Sequence, residues 1–202
     1  MFDASLRPFV DATLNPIGRR LAKWGVTANH VTIFGGVMGL MAAASIAFDA
    51  LLVGLGFILI NRFADGLDGA VARASGSTDF GGYFDIVFDF IFYSSIPFAF
   101  ALNDPANGSA ACFLLFSFIG TGTSFLAFAI IAAKRGISTE CRGKKQFYYL
   151  GGLTEGTETI ILLCLMTLMP SHFTILAVIF GFLCWITTAM RIGYAFQLFA
   201  SE

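Results

Sequence analysis

Apolar residues fall into six long stretches along this chain, each closed by a short polar joint. The stretches are Val31–Phe48, Ala50–Ala74, Gly81–Leu102, Ala110–Ala133, Phe147–Met169 and Phe173–Phe199. A helix needs about 20 mostly apolar residues to cross a hydrocarbon core of roughly 30 Å, so the pattern predicts six transmembrane helices. Asp49 separates the first two, the run from Asn103 to Gly108 the third and fourth, and Pro170 with Ser171 the fifth and sixth. Ahead of them, Leu14, Ile17, Leu21 and Trp24 recur at helical spacing among Arg19, Arg20 and Lys23. That pattern suits a short amphipathic juxtamembrane helix in the headgroup layer. Thr27 or Asn29 is placed to cap the first spanning helix. The expectation is an all-α integral membrane protein forming a single domain over 1–202. Residues 1–27 would be its interfacial segment and 28–199 its six-helix core.

Composition sharpens this in one respect. The chain is 57% hydrophobic and 12% charged, where a soluble domain carries about 25% charge. The bilayer is therefore its main solvent. A net charge of -1 gives no reason to expect a nucleic acid, so the cations matter for their placement. Arg7, Arg19, Arg20 and Lys23 precede the first stretch, and Arg73 ends the second. Lys134, Arg135, Arg142, Lys144 and Lys145 fill the fourth-to-fifth connection, and the opposite-side loops hold no Lys or Arg. The positive-inside rule then puts both termini on the cytosolic face of the cell membrane. An even number of crossings requires the same. The opening residues lack the basic-then-apolar order of a cleaved signal. Cys112, Cys141, Cys164 and Cys184 form no metal-ligand spacing, three of them lie within apolar stretches, and all read as inert membrane or core residues.

The second stretch is not uniformly apolar. On a helix, Asp65, Asp68, Gly69, Ala72 and Arg73 share one face, and the third stretch adds Gly81, Asp85 and Asp89 at spacings of four. A short link between the two stretches predicts antiparallel neighbours, with four carboxylates converging near one level. Clustered anions away from bulk water repel one another, and divalent cations relieve that repulsion. Oxygen ligands favour Mg²⁺, Mn²⁺ or Ca²⁺ over zinc. The competing reading, buried ion pairs with Arg62 and Arg73, sets two cations against four anions, and ionisable groups inside a membrane mark functional sites. The small residues Gly69, Ala72, Gly81 and Gly82 fit either close helix packing or a ligand lying against backbone. Beside the carboxylates and Arg73, a phosphate ester is the better fit.

Together, Asp65-x2-Asp68-Gly69-x2-Ala72-Arg73-x7-Gly81-x3-Asp85-x3-Asp89 resembles the signature of the CDP-alcohol phosphotransferases, membrane enzymes of phospholipid synthesis. The segment Gly25-Val26-Thr27-Ala28-Asn29-His30-Val31-Thr32 resembles the opening of that family's first helix, with Ala28 where proline is usual. The seven residues between Arg73 and Gly81 replace a more common eight, which the connection should absorb. The resemblance implies two divalent cations, Mg²⁺ or Mn²⁺, on Asp65, Asp68, Asp85 and Asp89, with Asp89 also the general base. It implies nucleotide contacts at Gly69, Ala72, Arg73, Asn29 and Thr32. It further implies CDP-diacylglycerol as donor, a polar alcohol as acceptor, CMP as leaving group, and the homodimers common in that family.

Acceptor candidates are Glu155 and Glu158, one helical turn apart among threonines, with Arg135 and Arg142 in the basic connection. The glutamates also suit a water-exposed helix start, and the cations suit contact with anionic headgroups. Arg191 should face a cavity or the cytosolic headgroups, and His30 and His172 read as structural. Three other functions compete. A CDP-linked headgroup could be transferred to diacylglycerol, a prenyltransferase would release pyrophosphate, and a divalent-metal transporter would need acidic groups in the opposite membrane half, where these stretches have none.

Overall fold

The computed structural model describes residues 3–137 and 152–200, with side chains from residue 9 onward. Among them the regular structure is helical throughout. Seven α-helices follow one another: α1 (Asp3–Lys23), α2 (Ala28–Ala47), α3 (Leu51–Ser75), α4 (Asp79–Asn103), α5 (Gly108–Lys134), α6 (Gly156–Leu168) and α7 (Phe173–Phe199). Single 3-10 turns at Pro105–Asn107 and Pro170–His172 close the joints where proline halts the preceding helix.

The caps show why the helices start where they do. Thr27 is the N-cap of α2, its Oγ1 accepting from the His30 amide at 3.3 Å. His30 Nδ1 accepts from the Thr27 amide at 3.4 Å, which completes a capping box and gives His30 its structural role. Thr78 caps α4 through the Gly81 amide at 3.0 Å. Asp49 closes α2 in the left-handed region at φ 63°, a conformation its short polar side chain tolerates.

Among the described residues, four segments are long and apolar enough to cross a membrane: 28–47, 79–103, 105–134 and 170–199. The α3 helix has the length, but its second half carries Asn61, Arg62, Asp65, Asp68 and Arg73. The stretch expected at 147–169 needs correction. Residues 147–151 lie outside the described residues, 152–155 are not helical, and α6 begins at Gly156. Its 13 residues reach only about 20 Å. Thr154 is drawn to α7 instead, its amide and hydroxyl both meeting Thr187 Oγ1, at 3.2 and 3.0 Å.

Helix α2 is the axis of the site. Both α3 and α4 pack extensively on it, while they make few contacts with each other. The two helices expected as antiparallel neighbours thus face each other across a cleft, both leaning on α2. The cause lies in the glycines of α2. A methyl on Gly35 would sit 3.1 Å from Ala64 Cβ on α3, and one on Gly39 would sit 2.9 Å from the Phe92 ring on α4. A methyl on Gly36 would collide with the Phe88 ring. Glycine lets both partners close on α2 and leaves a cleft between their acidic faces.

The α1 helix is longer than the expected amphipathic element and lies along α3. Leu14 is buried on Gly66, and Gly18 meets the α3 backbone, where a methyl would fall 2.6 Å from the Ala70 carbonyl carbon. That backbone cannot yield as a side chain could. Gly18→Ala is therefore expected to destabilise the protein by about 1–3 kcal/mol, read as a lower thermal midpoint in detergent. An unchanged midpoint would contradict the docking of α1.

The main apolar core ties α2, α3 and α4 to α5, α6 and α7. Ile46, Ile58, Ile96, Leu114, Leu163, Met166 and Cys184 are buried there. Phe100 stacks on Phe173 with ring centres 4.6 Å apart, tying α4 to α7. Cys112, Cys164 and Cys184 are free thiols, and Cys141 lies outside the described residues.

Candidate functional site

The narrow cleft between α3 and α4 is floored by Thr32, Gly35 and Gly36 of α2. Asn61, Arg62, Asp65 and Asp68 line it from α3, and Asp85, Phe88 and Asp89 from α4. All four aspartates expected at the site therefore meet there. Asp65, Asp85 and Asp89 each present a carboxylate oxygen within 4.8 Å of the others. The reason is helical phase. Asp85 and Asp89 differ by one turn on α4, and the three-residue link at 76–78 brings α3 back at matching depth.

Asp68 stands slightly apart. It is 5% exposed, and its Oδ2 accepts from Thr32 Oγ1 at 2.7 Å. The same Thr32 hydroxyl lies 3.1 Å from the Ala28 carbonyl, with which it can share its single proton, so α2 fixes the height of Asp68. Arg62 projects among the carboxylates, its Nη2 donating to Asp89 Oδ1 at 3.0 Å and its Nη1 standing 3.7 Å from Asp65 Oδ2. The i, i+3 spacing of Arg62 and Asp65 held a hint of this pair. The reach to Asp89 on another helix did not show in the sequence.

The competing reading of the aspartates as ion-paired is thus half realised. Arg62 pairs with two of them, whereas Arg73 turns away, its Nη2 donating to Asp11 Oδ1 at 2.7 Å and to Asn15 Oδ1 at 3.1 Å on α1. One guanidinium among four carboxylates leaves excess negative charge facing the cleft. The donor set fits a divalent cation, because two oxygens on one Mg²⁺ or Ca²⁺ lie no more than about 4–5 Å apart. Carboxylates alone, without thiolate or imidazole, suit Mg²⁺, Mn²⁺ or Ca²⁺.

The small residues divide into two kinds. Gly35, Gly36, Gly39, Gly18 and Gly66 serve close packing. A methyl on Gly69 would meet only the Arg73 Nη1 tip, at 3.3 Å, and one on Gly82 would meet nothing within 4 Å. Gly81 faces the side chains of Thr78 and Asn29. The α3 surface beside the aspartates is therefore open where a ligand would approach. Gly69→Val is expected to raise the apparent KM for a nucleotide-linked donor about tenfold or more, with kcat and thermal midpoint near wild type. A lowered midpoint with unchanged KM would make Gly69 a packing residue.

The acceptor candidates lie elsewhere. Glu155 is the N-cap of α6, and Glu158 Oε2 accepts from the Glu155 amide at 3.2 Å, so both glutamates take part in the helix start. Glu155 is within electrostatic reach of Arg191, whose Nη1 donates to the Thr121 carbonyl on α5 at 2.9 Å. Arg191 also lines an apolar groove between α5 and α7, with Phe128, Ile131 and Phe196. Arg135 donates to the Phe199 carbonyl at 3.2 Å and lies over the Phe199 ring. None of Glu155, Glu158 and Arg135 lines the acidic cleft. Arg142 lies outside the described residues.

Comparison with known proteins agrees with this geometry. The sequence profile described as CDP-alcohol phosphatidyltransferase matches residues 25–192. The inner membrane protein YnjF of Escherichia coli (strain K12) is 49% identical over 197 residues, covering 96% of each chain. An archaetidylinositol phosphate synthase of Pyrococcus horikoshii is 37% identical over 102 residues, covering 50% of this chain and 54% of the relative. The fold is shared with the phosphatidylinositol phosphate synthase of Mycobacterium tuberculosis, solved with CDP-DAG bound. The TM-score is 0.73 at 21% identity, covering 91% of this chain and 93% of that one.

Proposed function

The chain belongs to the CDP-alcohol phosphatidyltransferase family, and from that premise we propose that it transfers the phosphatidyl group of CDP-diacylglycerol to the hydroxyl of a polar alcohol. CMP is the other product. The observation that carries this reading is the cluster of Asp65, Asp85 and Asp89, with oxygens within 4.8 Å of one another, beside the open face at Gly69. Oxygen ligands of that kind in a cleft with room beside them suit a diphosphate and its cations.

In this reading Asp65, Asp68, Asp85 and Asp89 hold two divalent cations, Mg²⁺ or Mn²⁺, which when bound would withdraw charge from the diphosphate. Gly69 and Ala72 let the nucleotide lie against α3, with Asn29, Thr32 and Arg73 around it. Asp89 takes the proton of the acceptor hydroxyl. That oxygen attacks the phosphorus distal to cytidine in line, and the bond to the CMP oxygen breaks with its electron pair leaving on CMP. Glu155, Glu158 and Arg135, outside the cleft, are the described candidates for meeting the acceptor on its way in.

The chain is a multi-pass membrane protein. We place α3 beside the four apolar spans as a fifth crossing, the 13-residue α6 spanning part of the hydrocarbon core as the helical portion of a sixth, α1 in the cytosolic headgroup layer, and both termini and the site on the cytosolic face of the inner membrane. Residues 1–202 act as a single domain, assembled as a homodimer. The test is product analysis with purified protein, CDP-diacylglycerol and a panel of serine, glycerol phosphate, inositol, inositol phosphate and amino alcohols. CMP appearing only with one class of acceptor supports the proposal. CMP formed only from a CDP-linked headgroup with diacylglycerol reverses donor and acceptor, and pyrophosphate release or ion flux without CMP sinks the reading.

A further inference from the structure

Arg62 is held more firmly than a charge-balancing residue needs to be. Its Nε donates to Asn61 Oδ1 at 2.7 Å, its Nη1 to the Tyr93 hydroxyl at 3.0 Å and its Nη2 to Asp89 Oδ1 at 3.0 Å. The guanidinium carbon lies 4.2 Å from the centre of the Phe92 ring and 5.1 Å from that of Tyr93. Two of its anchors are themselves fixed. Asn61 Nδ2 donates to the Gly35 carbonyl on α2 at 2.7 Å, and Phe92 is buried against the same helix. The side chain is 10% exposed. Burying a cation this deeply is costly unless its geometry is used, and a planar five-donor fork is what can hold a carboxylate, an amide and a phenol together.

We propose that Arg62 is a positioning residue with two opposed effects on the site. By occupying Asp89 Oδ1 it fixes the carboxylate and leaves Oδ2 as the oxygen that receives the acceptor's proton. Its permanent charge, set between Asp65 and Asp89, also repels an incoming dication and so limits how tightly the cluster binds one. The clamp thus speeds proton transfer at the expense of cation affinity. This rests on the reading of Asp89 as base and cation ligand.

The opposed signs provide the test. In detergent-purified protein, Mn²⁺ binding is followed by the electron paramagnetic resonance signal of free Mn²⁺, and CMP release is measured at saturating Mn²⁺. Arg62→Met should bind Mn²⁺ at least about tenfold more tightly than wild type, because a nearby like charge is gone. Its kcat should fall about tenfold to a hundredfold, because Asp89 is no longer held in place. Arg62→Lys keeps the charge without the fork, so its Mn²⁺ affinity should stay near wild type while kcat recovers only in part. Where Arg62→Met fails to fold, Arg62→Gln, neutral but able to hydrogen-bond, carries the same affinity expectation. Wild type that binds Mn²⁺, with the neutral variants weaker or unchanged, overturns the role of Arg62 alone. Wild type that binds no Mn²⁺ overturns the cation reading beneath it.

Discussion

Asp89→Asn is expected to lower CMP release by about 10²–10⁴-fold, the range over which a lost general base is felt. Asparagine keeps the shape of the side chain and an oxygen for Arg62, which now reaches Asp89 Oδ1 at 3.0 Å. The change therefore removes the base and one negative charge while leaving the clamp in place. Insertion, elution volume and helical content should match wild type. Asp79, exposed in the first turn of α4 and outside the cleft, supplies the control. Asp79→Asn should leave turnover within about twofold, as substitutions at unengaged surface positions do. Retained turnover in Asp89→Asn would refute the base assignment.

Removing divalent cations is expected to have an effect of similar size. After exhaustive chelation, CMP release should fall to background and return with Mg²⁺ or Mn²⁺. The cause is electrostatic. Three carboxylates whose oxygens approach within 4.8 Å cannot receive a diphosphate without countercharge, and Arg62 supplies a single positive charge. Cation binding should also stabilise the fold, since a ligand at 100 times its Kd adds about 2.7 kcal/mol to the native state. A thermal midpoint that rises with Mn²⁺ in wild type and not in Asp65→Asn/Asp85→Asn checks this without reference to turnover. Full activity after chelation would contradict it.

Much of this was legible in the sequence, and the reasons differ from residue to residue. Four aspartates at helical spacing on two stretches announced the cluster, because spacing along a helix fixes which side chains share a face. The span at 173–199 matches α7 end to end, since Pro170 and a long apolar run leave little freedom. The partners across helices were not legible. Asp11 and Arg73 are 62 positions apart, and their bond depends on how α1 crosses α3 at Gly18. Arg62 was visible as a charge, but its grip on Asp89 exists only because α2 holds α3 and α4 a cleft apart. Hydropathy extended the fifth stretch too far because Thr154 and Glu155 sit beside apolar residues. Their hydrogen bonds to Thr187 and within the helix start go with a helix that begins only at Gly156.

The central claim is that this carboxylate cluster seats a divalent cation against the diphosphate of a CDP-linked lipid. The most direct measurement is the ³¹P signal of CDP-diacylglycerol in detergent with protein and substoichiometric Mn²⁺. Wild type should broaden both diphosphate resonances strongly, and Asp65→Asn/Asp85→Asn should leave them as sharp as Mn²⁺ and lipid do without protein. Equal broadening by the double variant, or none by wild type, would contradict the account.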